Sequence, residues 1–346
     1  MNLDLVNTVE VMRKYLYMPS PGGYTLDAIL EVKKDFEALG LSTSFTKKGA
    51  LIATLRGEHE DEQITISTHM DTLGAMVKDI TADGHLKYTR IGGGCWSANE
   101  GENCYVITRK GEKIRGSIMF KYSSTHIYGQ GKANSERNED NMLVRLDEKI
   151  ACKDDVLKLG INVGDFIAMD TRFETTNTGF IKSRYIDDKA AVAMALEICR
   201  YFRENNIMPK YTTNFFISNY EEMGHGLSNA VPCKTKELVS IDIAPVGDGQ
   251  GSSEYSVTII AKDGKTVYDF PLRNKLVNIA EDNGLDYTVD IFPHYSSDAS
   301  QAVTTGTDMQ FACVGPGVDA SHHYERTHIS AIENTLKLLI NYMLSE

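Results

Sequence analysis

The chain is short of positive charge, of tryptophan and of long apolar runs. Its 346 residues carry 36 basic against 48 acidic side chains, a formal net charge of −12. A nucleic-acid or anionic-membrane partner needs a clustered positive field, so no nucleic acid and no membrane is expected as a partner. Six cysteines are present, Cys95, Cys104, Cys152, Cys199, Cys233 and Cys313. None forms a Cys-x-x-Cys pair or a small-scaffold spacing, so reduced thiols in a cytoplasmic protein are expected. The N-terminal stretch has acidic Asp4 and lacks the basic flank and apolar core of a signal peptide. The most helix-like apolar run, 190–202, is interrupted by Glu197 and Arg200; neither an export signal nor a membrane span is expected. Gly-x-Ser-x-Gly, the phosphate-binding Gly-x-x-x-x-Gly-Lys-Ser/Thr and His-Glu-x-x-His are all absent, which argues against serine-hydrolase, P-loop and zincin chemistry.

What is present is an alternation of helix and apolar strand. Residues 4–17 read as a helix ending before Pro19, and 26–39 as a second, with Thr25 as its N-cap and Gly40 as its stop. Leu51–Leu55 and 63–68 read as strands, the second running into His69-Met70-Asp71. Helix alternating with apolar strand means an α/β sheet. From about Gly74 to Ile181 short strands punctuated by glycine take over, at about 77–80, 85–91, 104–108, 114–120 and 165–170, which reads as a small β domain inserted into the α/β one. Within it, 123–148 is polar and reads as an extended loop, and Ile91-Gly92-Gly93-Gly94 as a turn. The α/β pattern resumes at Asp187, with a helix over 188–205, strands at 211–218, 238–242, 256–261, 287–292 and 309–314, a helix at 272–283 and a closing helix from Ser330. At this length one large domain with a smaller insert is expected: 1–73 and 182–346 for the first, 74–181 for the second.

The chemistry centres on Asn219-Tyr220-Glu221-Glu222-Met223-Gly224, where the apolar strand empties into a loop, the place open α/β sheets put their sites. A lone pair of glutamates is more often a solvated loop. Here it is joined by His69-Met70-Asp71, Asp187-Asp188, Asp242 and His322-His323, all at strand or helix ends. Mixed imidazole and carboxylate donors suit zinc, cobalt or manganese. An odd carboxylate able to bridge would let the set hold two ions roughly 3.5–4 Å apart. One glutamate could bind metal while its neighbour moves a proton.

These motifs, in their order and spacing, resemble one family over nearly the whole chain. Ser20-Pro21-Gly22-Gly23-Tyr24, Thr68-His69-Met70-Asp71-Thr72-Leu73-Gly74, Asp187-Asp188-Lys189-Ala190, Glu221-Glu222-Met223-Gly224 and Ile241-Asp242 are similar to those of the tetrahedral-assembly and glutamyl aminopeptidases, di-metal cytosolic exopeptidases some of which have been labelled cellulases. The resemblance implies a three-layer α/β/α metallopeptidase domain carrying a small β-barrel-like (PDZ-like) insert. It implies two divalent ions per subunit, zinc or cobalt, with His69 and Asp242 on one, Glu222 and a C-terminal histidine on the other, and Asp187 bridging. Glu221 is then the general base of metal-assisted amide hydrolysis and Asp71 orients the His69 ring. A cis peptide after Asp187, short peptide substrates and a homo-oligomer, the dodecamer of relatives, are also implied, with Trp96 and the stretch 123–141 as interface candidates.

The chain departs from the family pattern in three places. Ser321-His322-His323-Tyr324-Glu325-Arg326-Thr327-His328 offers three histidines, of which His322 best keeps the distance to Glu325. Tyr295-Ser296-Ser297-Asp298-Ala299 replaces a glycine-rich segment, and Tyr220 precedes the paired glutamates; both bear on the substrate pocket. A deacylase or carboxypeptidase-like amidohydrolase on the same core is the competing enzyme reading, since the metal set does not decide which end of a substrate docks. A scaffold that has lost the site is the non-enzymatic one.

Overall fold

The computed structural model describes residues 1–346. A twelve-stranded sheet runs through the larger unit. Its main path is Ser42–Phe45, Leu51–Leu55, Tyr211–Ser218, His59–His69, Thr235–Ile241, Gln310–Asp319, Glu325–His328, Phe180–Ser183 and Glu174–Thr175. The four strands Tyr211–Ser218, His59–His69, Thr235–Ile241 and Gln310–Asp319 are mutually parallel neighbours, so their C-terminal ends open on one edge.

These strands are apolar on both faces, as a sheet covered on both sides requires. Phe215, Ile217, Val239, Ile241, Ala312 and Val314 point into a core shared with the helices Leu5–Leu16, Leu26–Ala38, Ile186–Glu204, Phe270–Asp282 and Ile329–Leu344. The alternating residues Phe216, Leu238 and Cys313 enter a second core with Ala299 and Ala302 of the helix Asp298–Thr304. Three layers result. The helix Ile186–Glu204 is buried along most of its length because it lies against the sheet with small side chains, Ala190, Ala191, Ala193 and Ala195. Its buried Glu197 is held by Arg200 and by the Asp4 amide. No helix is long and apolar enough to cross a membrane. Thr25 does precede the second helix but makes no side-chain cap.

Six antiparallel strands, Gly74–Ile80, Leu86–Ile91, Met142–Leu146, Lys113–Phe120, Asn103–Ile107 and Phe166–Met169, close into a barrel around Val77, Tyr88, Val106, Ile118, Val144 and Ile167. The expected extended loop over 123–148 is corrected here. It contains a kinked helix, Thr125–Ala133, broken at Gly129 (φ 70°, ψ 165°), a conformation open only to glycine, and then the barrel strand Met142–Leu146. Met142, Val144 and Leu146 alternate inward between exposed or half-buried neighbours, so a strand sits where the flanking charges suggested a loop. Arg137 pairs with Glu100 and its guanidinium lies 4.0 Å from the Phe120 ring, fastening the segment to the barrel. The short helix Lys153–Lys158 was likewise not expected.

Candidate active site

Three adjacent parallel strands deliver the site. His69 is the last residue of its strand and pairs with Ser218, three residues before Glu221; Asp242 follows the end of Thr235–Ile241. Gly315 on the neighbouring strand lets Asp242 sit close: a Cβ there would lie 1.5 Å from the Asp242 carbonyl oxygen. Asp187 enters from the start of the helix Ile186–Glu204, its amide donating to Glu325 Oε2 at 3.1 Å. The Asp187–Asp188 peptide is cis, as is Ser321–His322.

The single Asp187 carboxylate lies between two imidazoles. Its Oδ1 is 3.1 Å from His69 Nε2 and its Oδ2 3.3 Å from His322 Nε2. Two donor groups share it: His69, Asp187 and Asp242, and Asp187, Glu222 and His322, with the donor atoms of each group within 4.8 Å of one another. His69 Nδ1 donates to the Asp71 carbonyl at 2.9 Å, which turns Nε2 towards the cluster. The side chains of His69, Asp187 and Asp242 are buried; Glu221, Glu222 and His322 are half-buried. The donor set therefore fits two divalent ions with a shared carboxylate.

Of the three histidine candidates only His322 joins the cluster. His328 is occupied elsewhere, Nε2 on the Thr178 carbonyl and Nδ1 on Ser330, and His323 lines the cavity without belonging to either donor group. Asp71 serves both the ring and the turn: its carbonyl meets His69 Nδ1 at 2.9 Å with its carboxylate Oδ1 at 3.7 Å, and its two carboxylate oxygens accept the amides of Glu221 and Glu222 at 3.1 Å each. That clamp on a turn aims the two glutamates. Asp188 secures the other side, accepting from Thr68 Oγ1 and from the His69 amide.

Electrostatics follow from the crowding. Burial pushes Glu221 well above the ordinary carboxylate range, with Asp242 adding to the rise. Burial likewise lifts Glu222 to about 7. Burial opposes charging of His322, yet its hydrogen bond to Asp187 and the Glu222 charge raise it to about 10. Asp187 goes the other way, lowered by the two imidazoles despite its burial.

Sequence reading missed part of the wall. Gly93, Gly94 and Cys95 line the cavity, so the glycine segment is a turn placed at the site; a Cβ on Gly93 would come within 3.6 Å of His322 Nδ1. Tyr295 lines the cavity too, while Tyr220 stacks on His225 at 4.8 Å and stays outside the lining. The glycine run and the substituted aromatic were visible signals, but only the barrel's position relative to the sheet shows where they face.

Residues 49–338 match the sequence profile of the M42 glutamyl aminopeptidase family. Over 339 residues the chain is 44% identical to the Bacillus subtilis (strain 168) protein named "Putative aminopeptidase YhfE", covering 98% of this chain and 97% of the relative. Among solved structures, aminopeptidase APDkam598 of the archaeon Desulfurococcus kamchatkensis superposes with a TM-score of 0.88 at 20% identity, covering 99% and 96% of the two chains. The Pyrococcus horikoshii TET1 peptidase, which can assemble into a tetrahedron or a large octahedral shell, superposes at 0.86 with 21% identity, covering 98% and 100%.

Proposed function

The chain belongs to the M42 glutamyl aminopeptidase family of peptide hydrolases, and from that premise we propose a two-metal aminopeptidase that trims short peptides from the N-terminus. The observation that carries the reading is the Asp187 carboxylate set between His69 Nε2 and His322 Nε2, with Asp242 and Glu222 completing a donor group on each side. When bound, divalent ions at these donors supply Lewis-acid activation of water and of the scissile carbonyl.

The chain's own contribution is proton handling and position. Glu221 is the one carboxylate of the clamped pair outside both donor groups, its Oε2 3.8 Å from His69 Nε2. A half-buried carboxyl whose crowded surroundings raise its pKa is matched to taking a proton from the attacking water and returning it to the leaving amine. Asp71 holds that carboxylate in place through the peptide amides. Homo-oligomer formation through the barrel belongs to the same proposal, supported by the assemblies of the TET1 relative. The test is hydrolysis of leucine p-nitroanilide by chelator-stripped and by zinc- or cobalt-reloaded protein, with metal content measured in parallel. Full turnover at negligible metal overturns the reading, and cleavage of acetyl-leucine p-nitroanilide in preference to the free amine would favour the deacylase alternative.

A further inference from the structure

The cavity that holds the donor groups has a volume of about 580 Å³, enough that size excludes no side chain. Charge is the discriminating property. The only carboxylates on its wall are Asp187, Glu221, Glu222 and Asp242, all assigned above to the metals and the base, and no lysine or arginine lines it. Its apolar part comes from two segments, Ile243, Pro245 and Val246 after the Asp242 strand, and Phe292 and Pro293 at the end of the strand Tyr287–Phe292; the rest is glycine, Cys95 and the polar side chains of Gln250, Tyr295, Ser296 and Ser321, with the imidazoles of His294 and His323.

Charged groups in the surroundings are already engaged. Lys48 donates to the His225 and Gly226 carbonyls, and Arg184 is spent on Glu102. Asp290 accepts the amides of Gly251, Ser252 and Ile291 at 2.8, 3.1 and 2.8 Å. A glutamate side chain placed here would find no lysine or arginine, only imidazoles and neutral donors, and a lysine side chain no free anion. Either would lose water without gaining a permanent counter-charge, which sites discriminate against.

We propose that the substrate's N-terminal residue is uncharged and apolar, of the leucine, methionine or phenylalanine class, and that the acidic residue for which the family is named is a poor substrate of this member. The proposal rests on the aminopeptidase reading above. Metal-loaded protein is assayed at about pH 8, where an ordinary imidazole is neutral, against the p-nitroanilides of leucine, methionine, phenylalanine, glutamate and lysine and against acetyl-leucine. The expected result is a kcat/KM at least about tenfold higher for the best apolar substrate than for glutamate or lysine. Val246→Lys, which retains every donor residue, should raise the glutamate-to-leucine ratio of kcat/KM by about tenfold or more. Glutamate or lysine turned over within tenfold of the best apolar substrate, or a folded, metal-replete Val246→Lys with an unmoved ratio, overturns the substrate class and leaves the aminopeptidase reading standing. Cleavage of the acetylated substrate alone, or of none, overturns that reading and the substrate class with it.

Discussion

Arg184 and Glu102 form a buried ion pair, Nη2 to Oε1 at 2.9 Å, that joins the main chain entering Asp187 to the barrel. The same guanidinium reaches the Ala98 and His323 carbonyls, so one side chain ties the barrel, the approach to Asp187 and the turn carrying His322. Removing Glu102 leaves that charge buried and unpaired. Glu102→Ala should therefore cost about 3–5 kcal/mol, read by chemical denaturation of the stripped protein, and should loosen the metal group that contains His322. Stability within 1 kcal/mol of wild type, roughly the range of a surface pair, would mean the strut carries no weight.

The two adjacent glutamates should separate by experiment. Glu221→Gln is expected to retain both metals while kcat falls by about 10²–10⁴-fold; Glu222→Gln should lose one ion per subunit. Elemental analysis decides, and metal loss in the Glu221 variant instead would reverse the roles.

Asp71 offers a finer probe of the same turn. Asn at this position replaces one of two acceptors by a donor facing a peptide amide, so the turn must shift with both glutamates on it. Metal affinity at the Glu222 side should drop by about 10–100-fold and kcat should fall with it, whereas the His69 ring, held by the Asp71 carbonyl, keeps its orientation. Calorimetric metal titration showing both affinities unchanged would sink the clamp.

Apolar β-branched and aromatic runs such as Phe215-Phe216-Ile217 and Leu238-Val239-Ser240-Ile241 made the central strands readable, because a strand covered on both faces leaves little choice of composition. Of the proposed donors, His69 and Asp242 stand at the ends of parallel strands, where an α/β sheet opens its site; Asp187, Glu222 and His322 lie in turns or at a helix start and were named through the family resemblance. What escaped depended on partners distant in sequence. Met142–Leu146 is five residues in a polar stretch, with Arg145 inside it and Asp147 after it, and becomes a strand by pairing with Lys113–Phe120 and Leu86–Ile91. Asp298–Thr304 is too short for periodicity to register, although Ser297 and Ser300 form its capping box. The strand Glu325–His328 hides in a polar run because its pairing with Phe180–Ser183 supplies its order. That Asp71 would serve the glutamates through its carboxylate could not follow from spacing, since the contact spans 150 residues.

Protons and metal compete for the same atoms, which gives the pH dependence a sign. Folding raises Glu222 from 4.5 to about 7, so in stripped protein its protonated form is favoured and the stability it lends is lost as pH rises through that interval. His322, raised from 6.5 to about 10, likewise lends stability below its unfolded value that disappears as pH rises towards 10. Asp187, lowered by its two imidazoles, acts only in acid, below 3.8. Bound ions require these ligands deprotonated and so gain as the protons leave. The Tm difference between loaded and stripped protein should therefore widen from about pH 5.5 to about pH 8.5. A difference that stays constant or narrows in scanning fluorimetry contradicts the ligand assignment of Glu222 and His322.

The proposed assembly through the barrel can be tested at its exposed side chains. Trp96 is already in use within the chain, packed 5.3 Å from the Tyr88 ring with the Arg90 guanidinium 4.7 Å from its own ring. The kinked helix Thr125–Ala133 is the better candidate. Tyr128 packs edge-on to Tyr122, which packs edge-on to Phe120, so the helix is anchored through Tyr128 and turns Ile127, 76% exposed, outward. An isoleucine held out by an anchored helix is a natural interface contact. Light scattering should give wild-type protein a mass several times 38.5 kDa, and Ile127→Glu should shift it to smaller species while per-site hydrolysis of leucine p-nitroanilide persists, because no donor residue lies on that helix. A monomeric wild-type protein with full activity would refute assembly, and an Ile127→Glu protein of undiminished mass would move the interface off this helix.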